Sequence, residues 1–245
     1  MRIKPLSQVY ENYTKEDFEV WETLYVRQLS NLRCSASTLY LNALDIIGFS
    51  KDGIPDFDLM NKRLDGTTGW KLVVAKELVP NEVFFELLSQ KIFPATCWLR
   101  SMSELDYLEE PDMFHDVFGH VPLLTHPAYA LFMQSLGKVA LRWKEYPEII
   151  DLLARVYWYT IEFGMINENG LNKVFGSGIM SSVSETVNAV SKTSEKRSFD
   201  IQAMIDLPYR SDIVQPVYFV IDSFEHLVSC EHEIESALKK MLVEI

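Results

Sequence analysis

Apolar residues recur at intervals of three and four along much of the chain, and polar clusters interrupt them where turns should fall. Phe18, Trp21, Tyr25, Leu29 and Leu32 keep a helical spacing behind Thr14-Lys15-Glu16-Asp17, which resembles a capping-box start. The run "STLYLNALDIIGF" repeats the pattern through Leu41, Leu44 and Ile47 and should stop near Gly48. "SKDGIPDFD" reads as a loop and "DGTTGW" as a turn, after which Leu72-Val73-Val74 suits a short strand. Pro80 is placed to open a helix at its first position, with Val83, Phe84, Leu87 and Leu88 as one face, and "FPATCWLR" looks extended.

Two longer helices are predicted, from Pro127 to about Trp143 and from Glu148 to about Met165. In the second, Ile149, Leu152, Leu153, Val156, Thr160 and Ile161 trace an inward stripe. "GLNKVFGSGIMSS" is too rich in glycine for a helix interior and reads as a short strand and turn. "QPVYFVID" is a strand, and the last ~20 residues form a helix on Phe224, Leu227, Ile234, Leu238, Met241 and Leu242. No repeat, low-complexity tract or linker interrupts the chain. The expectation is one mostly α domain with a few short β-strands.

Composition narrows the function. With 245 residues, 48% of them hydrophobic, the chain can bury a substantial core. A formal charge of -12 and only isolated basic pairs, such as Lys196-Arg197 and Lys239-Lys240, argue against nucleic acid or an anionic membrane surface as a partner. Cys34, Cys97 and Cys230 are odd in number and far apart, so neither a disulfide framework nor a cysteine-based zinc site is expected. The opening "MRIKPLSQVYENY" has no apolar leader core, and no apolar run approaches the ~20 residues a membrane helix needs. A cytoplasmic protein is the expectation.

The candidate chemistry lies in "PDMFHDVFGH", where His115 and His120 are five residues apart. Five residues turn an α-helix through ~500°, which leaves the two side chains ~140° apart. They converge if the helix ends between them, as Gly119 and Pro122 suggest, with His115 on the last turn and His120 on the segment that leaves it. On spacing alone the pair serves equally well as packing around a helix end or as two metal ligands. Glu162 adds a third group, being the one acidic residue in "RVYWYTIEFGM". A buried carboxylate needs a cation, either Arg155 two turns back or a metal. Two histidines and a carboxylate make the facial triad of non-haem iron(II), with positions left for water, oxygen or substrate. His126, His226 and His232 are explained by a helix start and by solvated surface, and Glu109-Glu110 by a solvated turn.

"EEPDMFHDVFGHVPLL", "YWYTIEFG" and "GSGIMSS" resemble motifs of the pterin-dependent aromatic amino acid hydroxylases, most of all their bacterial phenylalanine-hydroxylating members. The likeness covers about Thr68 to Phe224, in the family's order and spacing. It implies a helical basket around a non-haem iron, with His115, His120 and Glu162 as ligands. It places the pterin against Phe84, with Leu78, Val79, Asp116 and Tyr157 around it, and the substrate against Arg100, Trp158 and Ser181. Arg100 falls where the family binds the substrate carboxylate. The implied cofactors are Fe(2+) and a tetrahydropterin, and the implied partners are L-phenylalanine, O2 and the reduced pterin, with L-tyrosine as product.

Three positions depart from animal members: Leu108 replaces a threonine, Pro94 a histidine, and Asp116 a glutamate. All three changes look bacterial and leave the ligand set intact. The expected organisation is a single catalytic domain over 1–245, with a helical segment to about 67, an iron and pterin core over about 68–224 and a terminal helix over about 223–245. A monomer without a regulatory or tetramerisation domain is expected. Alternatives are a relative acting on tryptophan, a zinc hydrolase, or a non-catalytic metal-binding protein. The absence of H-E-x-x-H counts against the hydrolase.

Overall fold

Helix α1 (Lys15–Ser35) starts at the expected capping box: the Thr14 hydroxyl accepts the Asp17 N–H at 3.3 Å, and the Asp17 carboxylate accepts the Thr14 N–H at 2.8 Å. Trp21, Leu24, Gln28 and Leu32 then turn inward. The structure, a computed structural model, describes residues 4–106 and 108–244, with backbone alone at 243 and 244. Helix α2 (Thr38–Ile47) is capped by Ser37 and ends at Gly48, whose φ of 68° is a left-handed value that glycine adopts without strain. Helix α3 (Phe57–Asp65) begins inside the stretch expected to be a loop. Asp56 accepts the Leu59 N–H at 3.0 Å, and Phe57, Met60 and Leu64 bury one face.

Strand β1 (Lys71–Val74), helix α4 (Asn81–Ser89) and strand β2 (Ile92–Ala95) form a crossover unit, its strands parallel with Leu72 opposite Phe93. The buried face of α4 carries Phe85 and Leu88, not the Val83-Phe84-Leu87-Leu88 face expected. Val83 is exposed and Phe84 half-buried. That rotation leaves Phe84 free to face a cavity.

A π-helical segment, π1 (Phe114–His120), runs into α5 (Val121–Leu124) and then α6 (Pro127–Arg142). Helix α7 (Pro147–Tyr157) widens into a second π segment, π2 (Trp158–Glu162); together they bury the whole expected stripe and stop short of Met165. Gly164 makes the break: a Cβ there would lie 2.1 Å from the Thr160 carbonyl and 2.3 Å from the Phe175 ring. Met165 begins β3 (Met165–Glu168), which turns through Asn169-Gly170, both with positive φ, into antiparallel β4 (Leu171–Val174).

The segment expected to be a bare turn after β4 instead forms a helical turn, α8 (Ser177–Met180), followed by α9 (Val183–Val190). Strand β5 (Glu195–Ser198), helix α10 (Ile201–Asp206) and strand β6 (Val217–Ile221) complete a sheet of order β4-β3-β6-β5. The terminal helix is broken at Cys230 into α11 (Phe224–Ser229) and α12 (Glu231–Glu244). One continuous apolar core extends from Val20 to Leu238. Mostly helical with short strands, the fold places π1, π2 and α8 side by side.

Candidate metal centre

The five-residue histidine spacing is resolved by π1. A π-helix closes i→i+5 hydrogen bonds, so residues five apart return to one face. The helix therefore does not end between His115 and His120, as the sequence suggested. It widens, and continues into α5. Pro122 has no N–H to offer the Phe118 carbonyl, and the Tyr40 hydroxyl donates to that carbonyl instead, at 2.6 Å. Gly119 serves as a point of contact: a Cβ there would meet the Ser177 carbonyl oxygen at 2.9 Å.

The third group comes from the end of π2, where the Phe163 N–H reaches back five residues to the Trp158 carbonyl at 2.9 Å. His120 Nε2 lies 3.2 Å from Glu162 Oε1, and His115 Nε2 lies 3.6 Å from Glu162 Oε2. One donor atom from each residue falls within 4.8 Å of the others, the one such acidic or imidazole cluster among the described residues. Arg155 is not the partner of Glu162, because its guanidinium hydrogen-bonds the Ile205 carbonyl.

Electrostatics fit a cation at this point. Burial alone would raise the Glu162 carboxyl, but His120, His115 and the Ser177 hydroxyl more than offset it and hold it at about 2. The Ser181 hydroxyl donates to the Ser177 carbonyl at 2.8 Å and faces His115 Nδ1 at 2.8 Å. With its proton committed, that oxygen accepts from Nδ1–H, which leaves the lone pair of His115 on Nε2, toward Glu162. Three converging donors, with no lysine or arginine among the described residues pairing with the carboxylate, suit a divalent metal with open positions.

A cavity of about 320 Å³ opens beside the three residues. It is lined by Leu78, Val79, Phe84, Asp116, Tyr157 and Trp158, as well as by the three donors. Phe84 meets Tyr157 edge-on with ring centroids 5.1 Å apart. The Asp116 carboxylate accepts both the N–H and the hydroxyl of Thr96, at 2.7 and 2.8 Å, while burial pushes its carboxyl up. Burial first, and the Glu162 charge next, push up the Tyr157 phenol.

Two expected substrate residues do not line this cavity. Ser181 touches it through His115, and the buried Arg100 pairs with Asp112. Sequence reading passed over Asp112, Ser177 and Tyr209. Tyr209 stacks on Trp158 with centroids 4.1 Å apart and planes 13° apart. Asp112 follows Pro111 with no pattern that marks it, and Ser177 carried a signal only in its two flanking glycines. His126 packs on Phe224 and His226 on Phe199, and neither joins the cluster.

A helical basket that brings two histidines and one glutamate together beside a cavity has the donor set of a mononuclear non-haem metal site. The sequence profile of the biopterin-dependent aromatic amino acid hydroxylases matches residues 3–243, and the chain belongs to that family. It is 45% identical over 223 residues to the phenylalanine-4-hydroxylase of Ralstonia nicotianae, covering 91% of this chain and 71% of that one. It is 38% identical over 230 residues to that of Pseudomonas aeruginosa, covering 94% and 87%. Among solved structures, Chromobacterium violaceum phenylalanine hydroxylase with bound iron(III) and oxidised 7,8-dihydrobiopterin superposes with a TM-score of 0.89 at 40% identity, over 96% of this chain and 84% of that one. The same enzyme bound to cobalt gives a TM-score of 0.90 at 39% identity, over 96% and 86%.

Proposed function

We propose that this chain is an iron(II)- and tetrahydropterin-dependent monooxygenase that hydroxylates L-phenylalanine to L-tyrosine with O2. The observation that carries the reading is the convergence of His115, His120 and Glu162 on the wall of a cavity whose other side is aromatic. The likeness to bacterial phenylalanine-4-hydroxylases over nine-tenths of the chain supports the substrate. Iron and reduced pterin, when bound, supply the electrons and the oxygen chemistry that no side chain can.

The side chains bind, orient and exclude water. His115, His120 and Glu162 hold the metal on one face and leave the cavity side open. Phe84 stacks on the pterin, with Leu78 and Val79 on the loop leading to it and Asp116 and Tyr157 beside it. Trp158, braced by Tyr209, forms the wall for the substrate ring, Ser181 fixes the His115 ring on that side, and Arg100 meets the substrate carboxylate with the part of its guanidinium that Asp112 leaves free. The chain works as one catalytic domain, a reading supported by its single continuous core. A cytoplasmic setting is the finer reading, supported by three unpaired cysteines, and a monomer is proposed with it. No helix among the described residues is long and apolar enough to cross a membrane.

Purified protein loaded with iron(II) and given tetrahydropterin, O2 and phenylalanine should form tyrosine, with less product from tryptophan. Absence of any hydroxylated product from either amino acid would overturn the assignment. Faster turnover of tryptophan would move it within the family.

A further inference from the structure

Ser177 stands between Gly176 and Gly178 in α8, fully buried, with its Oγ 2.7 Å from Glu162 Oε2. Its own carbonyl accepts the Ser181 hydroxyl that faces His115. Such closeness needs the glycines: a Cβ at Gly176 would fall 2.4 Å from the Glu162 carbonyl oxygen, and one at Gly119 would fall 3.0 Å from the Ser177 Cβ. The serine proton has two acceptors in reach, Glu162 Oε2 and the Ile161 carbonyl at 3.3 Å. The shorter contact, to a charged oxygen, takes it.

A carboxylate ligand has two oxygens, and whether one or both bind decides how many positions around the metal remain open. Glu162 Oε1 faces His120 Nε2 at 3.2 Å. Oε2 stands farther from His115 Nε2, at 3.6 Å, and already receives the serine hydroxyl. We propose that Ser177 is a positioning residue: it occupies Oε2, makes Glu162 a one-oxygen ligand through Oε1, and so preserves a coordination position for a co-substrate. The inference rests on the metal-centre reading above and assigns a task to a residue of this chain that lies behind the cavity wall and does not line it.

The test uses cobalt(II) as the probe. Metal-free parent and Ser177→Ala protein are titrated with cobalt(II) while the visible ligand-field bands are recorded. Loss of an outer hydrogen bond to a ligand lowers metal affinity by about 10-fold or more. Ser177→Ala should therefore bind cobalt about 10-fold more weakly, with fainter bands as the released oxygen joins the metal and the coordination number rises. Its metal-free form should still melt in one cooperative step, at a somewhat lower temperature because a hydrogen bond to a buried carboxylate is lost. In a Glu162→Gln background, where no carboxylate is left to steer, adding Ser177→Ala should cost no further affinity. Unchanged affinity and bands in Ser177→Ala would overturn the proposal, as would an equal further loss in the Gln background. Should Ser177→Ala fail to fold, infrared difference spectra of the parent decide: a wide separation of the carboxylate stretches on adding cobalt fits one-oxygen binding, and a narrow one refutes it. A parent that binds no cobalt would remove the metal centre itself, which separates that failure from failure of the serine's role.

Discussion

Arg100 and Asp112 meet through two parallel hydrogen bonds, Nε to Oδ2 and Nη2 to Oδ1, each 2.9 Å, and the pair is shut away from solvent. Asp112 also accepts the backbone N–H of Arg100 at 2.9 Å and that of His115 at 3.3 Å. One carboxylate thus ties the proposed substrate arginine to a proposed metal ligand. Burial would raise the Asp112 carboxyl, yet the hydrogen bonds and charge of Arg100 hold it below the ordinary 3.8.

Asp112→Asn keeps the shape of the side chain and removes the charge, leaving Arg100 buried without an anion. Breaking such a pair costs about 3–5 kcal/mol, the lower end applying to an amide that still accepts one hydrogen bond. Because the folded value lies below the unfolded one, the advantage of aspartate is complete above about pH 4 and is lost as pH falls through the folded value. Urea midpoints of parent and variant should differ widely at pH 7 and draw together toward pH 2. A gap that stays constant over that range would mean that the ionised pair is not its source.

Arg100→Lys tests the substrate side of the same pair. Lysine offers one compact charge and cannot span both Asp112 oxygens while meeting a second carboxylate. Loss of a charged hydrogen bond costs about 1.5–3 kcal/mol, so the KM for phenylalanine should rise about 10-fold or more. A ring displaced from the metal should also lower the tyrosine formed per pterin consumed. Initial rates and product ratios at saturating phenylalanine check both.

Glu162→Gln should weaken iron binding by more than the roughly 10–100-fold that loss of an outer partner brings, since here the ligand charge itself is lost. Arg155→Ala is the matched control, because Arg155 is occupied by the Ile205 carbonyl. Iron titrations that rank the two variants equally would sink the assignment of Glu162.

Legibility in the sequence followed the range of the interactions. Helices α1 and α2 were readable because Thr14, Ser37 and Gly48 act within one turn of where they stand. Both histidines and Glu162 could be picked out as chemistry, but not the way they meet, since π1 bonds to the Tyr40 hydroxyl 78 residues away and packs against α8. The apolar stripe of α7 gave no warning that Gly164 stops it, although Asn169-Gly170 is a hairpin signal that places a strand before it. Tyr209 was invisible because its position on Trp158 depends on Gln215, which receives the Trp158 indole N–H and ties down the Arg210 and Ile213 carbonyls.

Phe84 and Phe85 are adjacent and should separate stability from cofactor binding. Phe85 is 1% exposed on the inner face of α4, and Phe85→Ala should cost about 3–5 kcal/mol. Phe84 is half-buried at the cavity, so Phe84→Ala should cost less stability and raise the pterin concentration for half-maximal rate several-fold. Melting curves and pterin saturation curves on both variants check this. A Phe84→Ala protein with the parent's pterin dependence would assign that ring to packing alone.

The last prediction concerns what keeps π1 open. Tyr40 and Phe118 are both fully buried, and the Tyr40 hydroxyl donates to the Phe118 carbonyl at 2.6 Å. In an ordinary helix that carbonyl would accept the N–H four residues on, but that residue is Pro122. Tyr40→Phe removes the donor and leaves the buried carbonyl unpaired, at a cost of about 1–3 kcal/mol. Metal affinity should fall with it, because Phe118 lies between the two histidines. Pro122→Ala restores an N–H at the position from which the helix itself can serve Phe118. Added to Tyr40→Phe, it should recover part of the lost stability, whereas in the parent, where the carbonyl is already satisfied, it should gain little. Measuring the four melting temperatures as a cycle isolates this coupling from the loss of the hydroxyl alone. Strictly additive effects would show that the tyrosine does not stand in for the missing proline N–H.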